Sequence, residues 1–155
     1  MPRNSAGLLL YRMRDGALEV LLVHPGGPFF KNKEEGAWTI PKGEINDGED
    51  VLAAACREFA EETGLQPAGD FLSLAKIKQK SGKVVHAWSV AGEFDPTQLV
   101  SNTFQIEWPP KSGKQMEFPE VDRAGWFPLA EARLKMNPAQ VAWLDELSKK
   151  ISPAT

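Results

Sequence analysis

Three glutamates, Glu58, Glu61 and Glu62, lie in the segment DVLAAACREFAEET at residues 50–63. It is rich in helix formers, preceded by Asp47-Gly48 and followed by Gly64, so a helix is predicted there. At helical periodicity the three carboxylates share an arc of roughly 100°, while Leu52, Ala55, Cys56 and Phe59 form an adjoining apolar face, with Cys56 expected to be inert core. Carboxylates one turn apart repel, and the repulsion grows where water is partly excluded. A divalent cation would offset it, and an all-oxygen ligand set suits Mg²⁺ or Mn²⁺ better than Zn²⁺. Acidic helical faces are mostly just solvated, so the meaning of this one rests on its surroundings.

Those surroundings are specific. Gly43 is followed six positions later by Glu49, and then by Arg57-Glu58-Phe59-Ala60-Glu61-Glu62-Thr63-Gly64-Leu65. The run resembles the Nudix box, G-x5-E-x7-R-E-U-x-E-E-x-G-U with U a large apolar residue, and every fixed position is filled. Phe59 is aromatic where the family more often carries an aliphatic residue, which touches packing detail only.

The resemblance implies an α/β fold, the Nudix α/β/α sandwich with a mixed sheet between helices. It also implies hydrolysis of a pyrophosphate bond in a nucleoside diphosphate linked to another moiety, by water attack on phosphorus with divalent ions neutralising the phosphates. Glu58, Glu61 and Glu62 are carried over as metal ligands, with Glu58 and Glu61 among the catalytic groups. Arg57 is expected to steady Glu61, and Glu49 to fix the loop through Arg57 or the helix start. Gly43 is expected to serve the turn and Gly64 the helix stop. Outside the box, Glu120 is the candidate general base or extra metal ligand because its place six positions before Trp126 resembles that of an outer metal-binding Glu in several family members, with Glu107 and Glu117 as rivals.

The lead-in Trp38-Thr-Ile-Pro41-Lys42-Gly43 resembles that of Nudix enzymes acting on diadenosine polyphosphates. A (di)nucleoside polyphosphate is therefore the first substrate expectation. Alternatives are a nucleoside triphosphate, an ADP-ribose-type compound, a diphosphoinositol polyphosphate, or a non-catalytic domain that senses nucleotides. Lys42 could meet a phosphate or simply be solvated, and Phe29, Phe30 and Trp108 could stack on bases or simply anchor their loops. Lys76, Lys78 and Lys80 alternate along one strand, as a phosphate row or as edge protection. His24 and His86 are the only histidines, and His86 is expected to pack beside Val84 and Trp88.

Several elements must position these groups. Residues 5–12 and 18–24 read as a hairpin around Arg14-Asp15-Gly16, and 71–80 with 83–92 as a second around Ser81-Gly82. Residues 25–36 read as a surface loop, 100–119 as irregular, 128–135 as a short helix and 139–150 as the last helix, leaving a tail at 151–155. With 155 residues and no linker or repeat, one domain over 1–155 is expected. A formal charge of −3 disfavours a sequence-independent nucleic-acid binder. One cysteine excludes an internal disulfide, and no targeting or membrane segment is visible. A cytoplasmic monomer or homodimer with a small-molecule nucleotide substrate and no membrane partner is the resulting expectation.

Overall fold

The computed structural model describes residues 4–79 and 81–151. Two long strands, β1 (Asn4–Arg14) and β2 (Ala17–Pro25), form the centre as a hairpin. Their leucine and valine runs are apolar at consecutive positions because both faces are covered. Leu9 and Leu22 point into one core, Leu8, Leu10 and Leu21 into the other, and all five are essentially inaccessible.

The sheet runs in the order β4 (Leu72–Lys78), β5 (Val84–Ala91), β1, β2, β8 (Val121–Pro128), with the short β3 (Lys42–Glu44) also paired to β1. β1 and β5 are parallel and the other pairs antiparallel, so the sheet is mixed. β2 pairs with the Tyr11–Arg14 half of β1, whereas β3 takes Ser5 to Gly7. Gly43, expected to serve a turn, thus lies in a strand paired with Ala6.

α1 (Val51–Thr63) covers one face through Ala54, Ala55 and Phe59. α2 (Leu129–Lys135) and α3 (Ala142–Ile151) cover the other, where Trp143, Leu144 and Leu147 are buried. This is the α/β sandwich with a mixed sheet. α3 begins later than residue 139, because Pro138–Gln140 forms a 3₁₀ turn capped by the Asn137 side chain. No helix among the described residues is long and apolar enough to cross a membrane.

Residues 100–119 are not irregular. They contain a second, two-stranded sheet of β6 (Thr103–Glu107) and β7 (Gln115–Pro119). The alternation Phe104, Ile106 against Met116, Phe118 is a strand pattern, and the Phe104 and Phe118 rings pair across it. The nearby prolines and glycine that suggested irregularity occupy the connection and the strand end.

The lead-in to β3 is fixed from three sides. Thr39 exchanges backbone hydrogen bonds with Val23, Trp38 N–H donates to Lys135 O, and Leu8 N–H donates to Pro41 O. The fully buried Gln140 adds a side-chain clasp: its Oε1 accepts from Ile40 N–H at 3.1 Å and its Nε2 donates to Thr39 Oγ1 at 2.9 Å. Leucine at this position would leave the Ile40 amide without its acceptor, so Gln140→Leu should lower stability by about 1–3 kcal/mol. Urea unfolding measures this, and an unchanged midpoint would show that the clasp contributes nothing.

Candidate active site

α1 starts at Asp50, whose carboxylate accepts from Ala53 N–H at 3.0 Å, and stops at Gly64, which adopts φ 84° and returns its N–H to Ala60 O. Between these fixed ends the helix delivers Arg57, Glu58, Glu61 and Glu62 toward β3. Gly43 is needed here for closeness rather than for a turn. It lies within β3, and a Cβ at that position would stand 2.0 Å from Glu58 Oε2. The carboxylate of Glu58 occupies the space that any other residue would fill.

Arg57 organises the acids. Its Nε and Nη2 make a bidentate pair with Glu49 at 2.8 and 3.0 Å. Nη1 donates to Glu58 Oε1 at 2.9 Å and Glu61 Oε2 at 3.0 Å, and Nη2 also donates to Glu44 O. All five guanidinium donors are used. Glu49 in turn accepts from Asn46 N–H, which ties the loop after β3 to the helix. The hydrogen bonds from Arg57 hold the Glu49 carboxyl below its ordinary range, while Glu49 and Glu58 push the guanidinium up.

The remaining carboxylates are under electrostatic pressure. Glu62 is only 8% exposed, and burial, followed by repulsion from Glu58, pushes it up to about 8. Lys42 and its backbone N–H oppose that rise. Glu58 is raised by burial and by Glu61 and Glu120, against the pull of Arg57. Glu120, between β7 and β8, is raised by burial and then by Glu61. The fold therefore brings Glu120 to the three helix glutamates. Of its rivals, Glu107 accepts from Lys111 N–H in the β6–β7 connection and Glu117 stands exposed on β7.

Four clustered carboxyl groups, three of them held back from ionising by burial and by their neighbours, are an all-oxygen donor set that a hard divalent cation would allow to ionise fully. Among the described residues, no three acidic, histidine or cysteine side chains already converge as a closed ligand set. Arg57 draws one oxygen each from Glu58 and Glu61, and Glu58 Oε2 and Glu61 Oε1 lie outside those pairs.

Half-buried Lys42 lies beside this cluster. Burial, and next the nearby Lys83, push its ammonium down, while Glu62 and Glu58 pull it up. Lys83, just before β5, was not among the sequence candidates. Its approach to Lys42 depends on a sheet pairing that local spacing does not reveal. Lys42, Phe30, Thr39, Gln79 and Gln140 line a cavity of about 180 Å³. Phe30 thus faces this cavity, whereas Phe29 meets Trp108 edge to face, ring centroids 5.5 Å apart. The three aromatics do not form one group.

Lys76 and Lys78 are exposed on β4, the edge strand, and Lys80 lies outside the described residues. His86 is not a core residue: it is half-buried, 3.4 Å from Asn4 Oδ1, and borders a 590 Å³ cavity along the β3–α1 connection. His24 is the buried one. Its Nδ1 lies 2.8 Å from Asp122 Oδ1 and its Nε2 2.6 Å from Lys33 O, fastening the 25–36 loop to β8. Cys56 is half-buried at the margin of the α1 core, where burial raises its thiol.

Comparison with known proteins agrees with this architecture. The NUDIX domain family model matches residues 1–147, and the chain belongs to that family. Nudix hydrolase 7 of Arabidopsis thaliana is 33% identical over 100 residues, covering 59% of this chain and 34% of that protein. The asymmetrical bis(5'-nucleosyl)-tetraphosphatase of Caenorhabditis elegans is 39% identical over 62 residues, 40% of this chain and 41% of that one. The chain thus spans well under half the length of these curated relatives. The crystal structure of a C. elegans Ap4A hydrolase binary complex superposes with a TM-score of 0.69 at 22% identity, covering 97% of this chain and 99% of that one, a likeness of fold.

The state of Glu62 has a consequence for stability. In the metal-free folded chain it keeps its proton to about pH 8, against an ordinary value of 4.5. Between those values the folded state binds more protons than the unfolded state, so stability should fall as pH rises from 4.5 to 8. Unfolding midpoints in EDTA across that range should decline for the wild type and decline less for Glu62→Gln. Parallel profiles for the two proteins would refute the assignment.

Proposed function

We propose that the chain is a metal-dependent pyrophosphohydrolase that cleaves a phosphoanhydride bond in a nucleoside diphosphate linked to another moiety, with a (di)nucleoside polyphosphate as substrate. The observation that carries this reading is the acid cluster itself: Glu58, Glu61, Glu62 and Glu120 repel one another beside the cationic Lys42 and Lys83. Repulsion of this kind has no structural benefit and is relieved by Mg²⁺, or by Mn²⁺.

Glu58, Glu61 and Glu62 are the residues that would hold the ion, with Glu120 as further ligand or base. When bound, the ion supplies charge neutralisation of the phosphates and polarisation of the attacked phosphorus. Arg57 keeps Glu58 and Glu61 in place without contacting substrate, and Glu49 keeps Arg57. Lys42 and Lys83 meet the phosphate oxygens that the acids would otherwise repel. Glu120 would take the proton from water, a role that its raised pKa supports. Phe30, on the wall of the Lys42 cavity, supplies apolar surface that a base could pack against.

Incubation with a panel of dinucleoside polyphosphates, nucleoside triphosphates, ADP-ribose and diphosphoinositol polyphosphates in Mg²⁺ tests the reading. Turnover should be greatest for the dinucleoside polyphosphates. Glu61→Gln should lower it by about 100-fold or more, equivalent to roughly 2.7 kcal/mol of transition-state stabilisation, with the unfolding midpoint little changed. Full turnover by that variant would remove Glu61 from the metal platform, and ligand-induced stabilisation without turnover of any compound would identify a sensor.

A further inference from the structure

The Phe29–Trp108 pair remains unused by the site as described, although it is built from two separate segments, one contributing an exposed ring and the other a half-buried one. Phe29 is 62% exposed, and its only aromatic contact among the described residues is the edge-to-face meeting with Trp108. Edge-to-face packing occupies one ring's edge and one ring's face, leaving other aromatic surface to receive a third planar group.

The position of the pair is set by the β6–β7 hairpin. At its near end, Thr103 pairs with Pro119, the residue before Glu120. At its far end, Glu107 pairs with Gln115, and Trp108 N–H donates to Lys114 O across the connection. A strand rise of about 3.4 Å per residue places Trp108 roughly 17 Å beyond Thr103. The 25–36 loop follows the same hairpin. Gly26 N–H donates to Glu120 O, Gly27 lies against the Phe104 ring, and Phe29 reaches Trp108. One continuous wall therefore runs from the acid cluster to an aromatic tip. Exposed lysines stand near that tip, Lys31 in the loop and Lys111 and Lys114 in the connection. Phe30, next in the chain to Phe29, faces the Lys42 cavity instead.

From this arrangement, and resting on the hydrolase reading above, we infer that the Phe29–Trp108 pair is the stacking platform for the distal nucleoside of a dinucleoside polyphosphate, held at the far end of the wall whose near end carries Glu120. The hairpin length makes the platform a gauge of substrate length. A base attached through a short phosphate bridge cannot reach the tip while its phosphate lies at the acids, and a longer bridge can. Lys31, Lys111 and Lys114 flank the end of that path with positive charge. The platform contributes to selection among substrates and takes no part in bond cleavage.

Diadenosine tetraphosphate and adenosine tetraphosphate carry the same phosphate chain and differ in the second nucleoside, so they isolate the platform. The double variant Phe29→Ala/Trp108→Ala should raise KM for diadenosine tetraphosphate about tenfold or more, the scale of base–aromatic stacking losses. Its kcat should be little changed, and both constants for adenosine tetraphosphate should stay within about twofold of wild type. Trp108→Phe should restore most of the lost affinity. Equal effects on the two substrates, or none on either, would overturn the inference, the latter leaving the tip as a surface for a protein partner. Isothermal titration of diadenosine tetraphosphate in Ca²⁺ gives a second readout that needs no turnover. Equal affinity of wild type and double variant overturns the platform even if the chain hydrolyses the compound. Failure of the wild type to hydrolyse either substrate counts against the hydrolase reading, and a tenfold affinity difference in that case still supports the platform.

Discussion

The guanidinium of Arg57 is the single group through which the acid cluster is held together. It is in contact with the end of β3 through the Glu44 carbonyl, with the loop that follows through Glu49, and with its own helix through Glu58 and Glu61. Without it, the carboxylates of Glu58 and Glu61 would face each other uncompensated, at a cost that burial raises at Glu58 and that solvent screens at Glu61, whose side chain is 38% exposed. Its satisfaction is complete because the surroundings are rigid: α1 is capped at both ends, and β3 is hydrogen-bonded to β1. The arrangement is thus over-determined by backbone before any ligand arrives, which is what a site that must tolerate charge repulsion requires.

That rigidity originates in packing. β1 is buried on both faces and joined to β2, β3 and β5, so it cannot shift without disturbing both cores. Gly43 and Glu58 express the same constraint on the scale of single atoms. The carboxylate fits only because one position of β3 has no side chain. Trp38 and Gln140 continue the chain of support outward, tying the lead-in strand to α2 and to the turn before α3. The C-terminal helices are therefore part of the positioning apparatus for Lys42, although they contribute no charged group to the acid cluster.

How much of this was legible in the sequence depended on the distance over which the relevant contact acts. The helix at 50–63, its stop at Gly64 and the common face of Glu58, Glu61 and Glu62 follow from periodicity and capping, which are local. The α/β class follows from apolar runs alternating with helix formers. Gly43 was recognised by motif, but its purpose was hidden, because the clash it avoids is with a residue on another element. Lys83 and Gln140 escaped notice, and the fastening role of His24 stayed hidden, for the same reason: each acts across a contact that only the completed sheet creates. The β6–β7 hairpin was obscured by Pro109, Pro110 and Gly113, whose turn signals outweighed two short alternating runs. Phe29 and Phe30 are neighbours in the chain yet serve different surfaces, a separation that spacing alone cannot express.

The net charge of −3 gains a physical meaning from this geometry. A uniformly negative surface would repel a polyphosphate. Here the acids are gathered at one place, with Lys42 and Lys83 beside them and the aromatic tip beyond. The approach of a phosphate chain to the acids is unfavourable unless cations come with it. Lysines alone cannot replace those cations, because Lys42 is held half-buried and its ammonium is already opposed by burial and by Lys83. The same acids that make the empty cluster unfavourable therefore make ligand and cation interdependent: each lowers the electrostatic cost of the other. In the reading proposed above, selectivity for the rest of the substrate falls to the Phe29–Trp108 rings, which carry no charge of their own. Stacking groups at the end of a hairpin, apart from the acid cluster, would separate the two tasks in space.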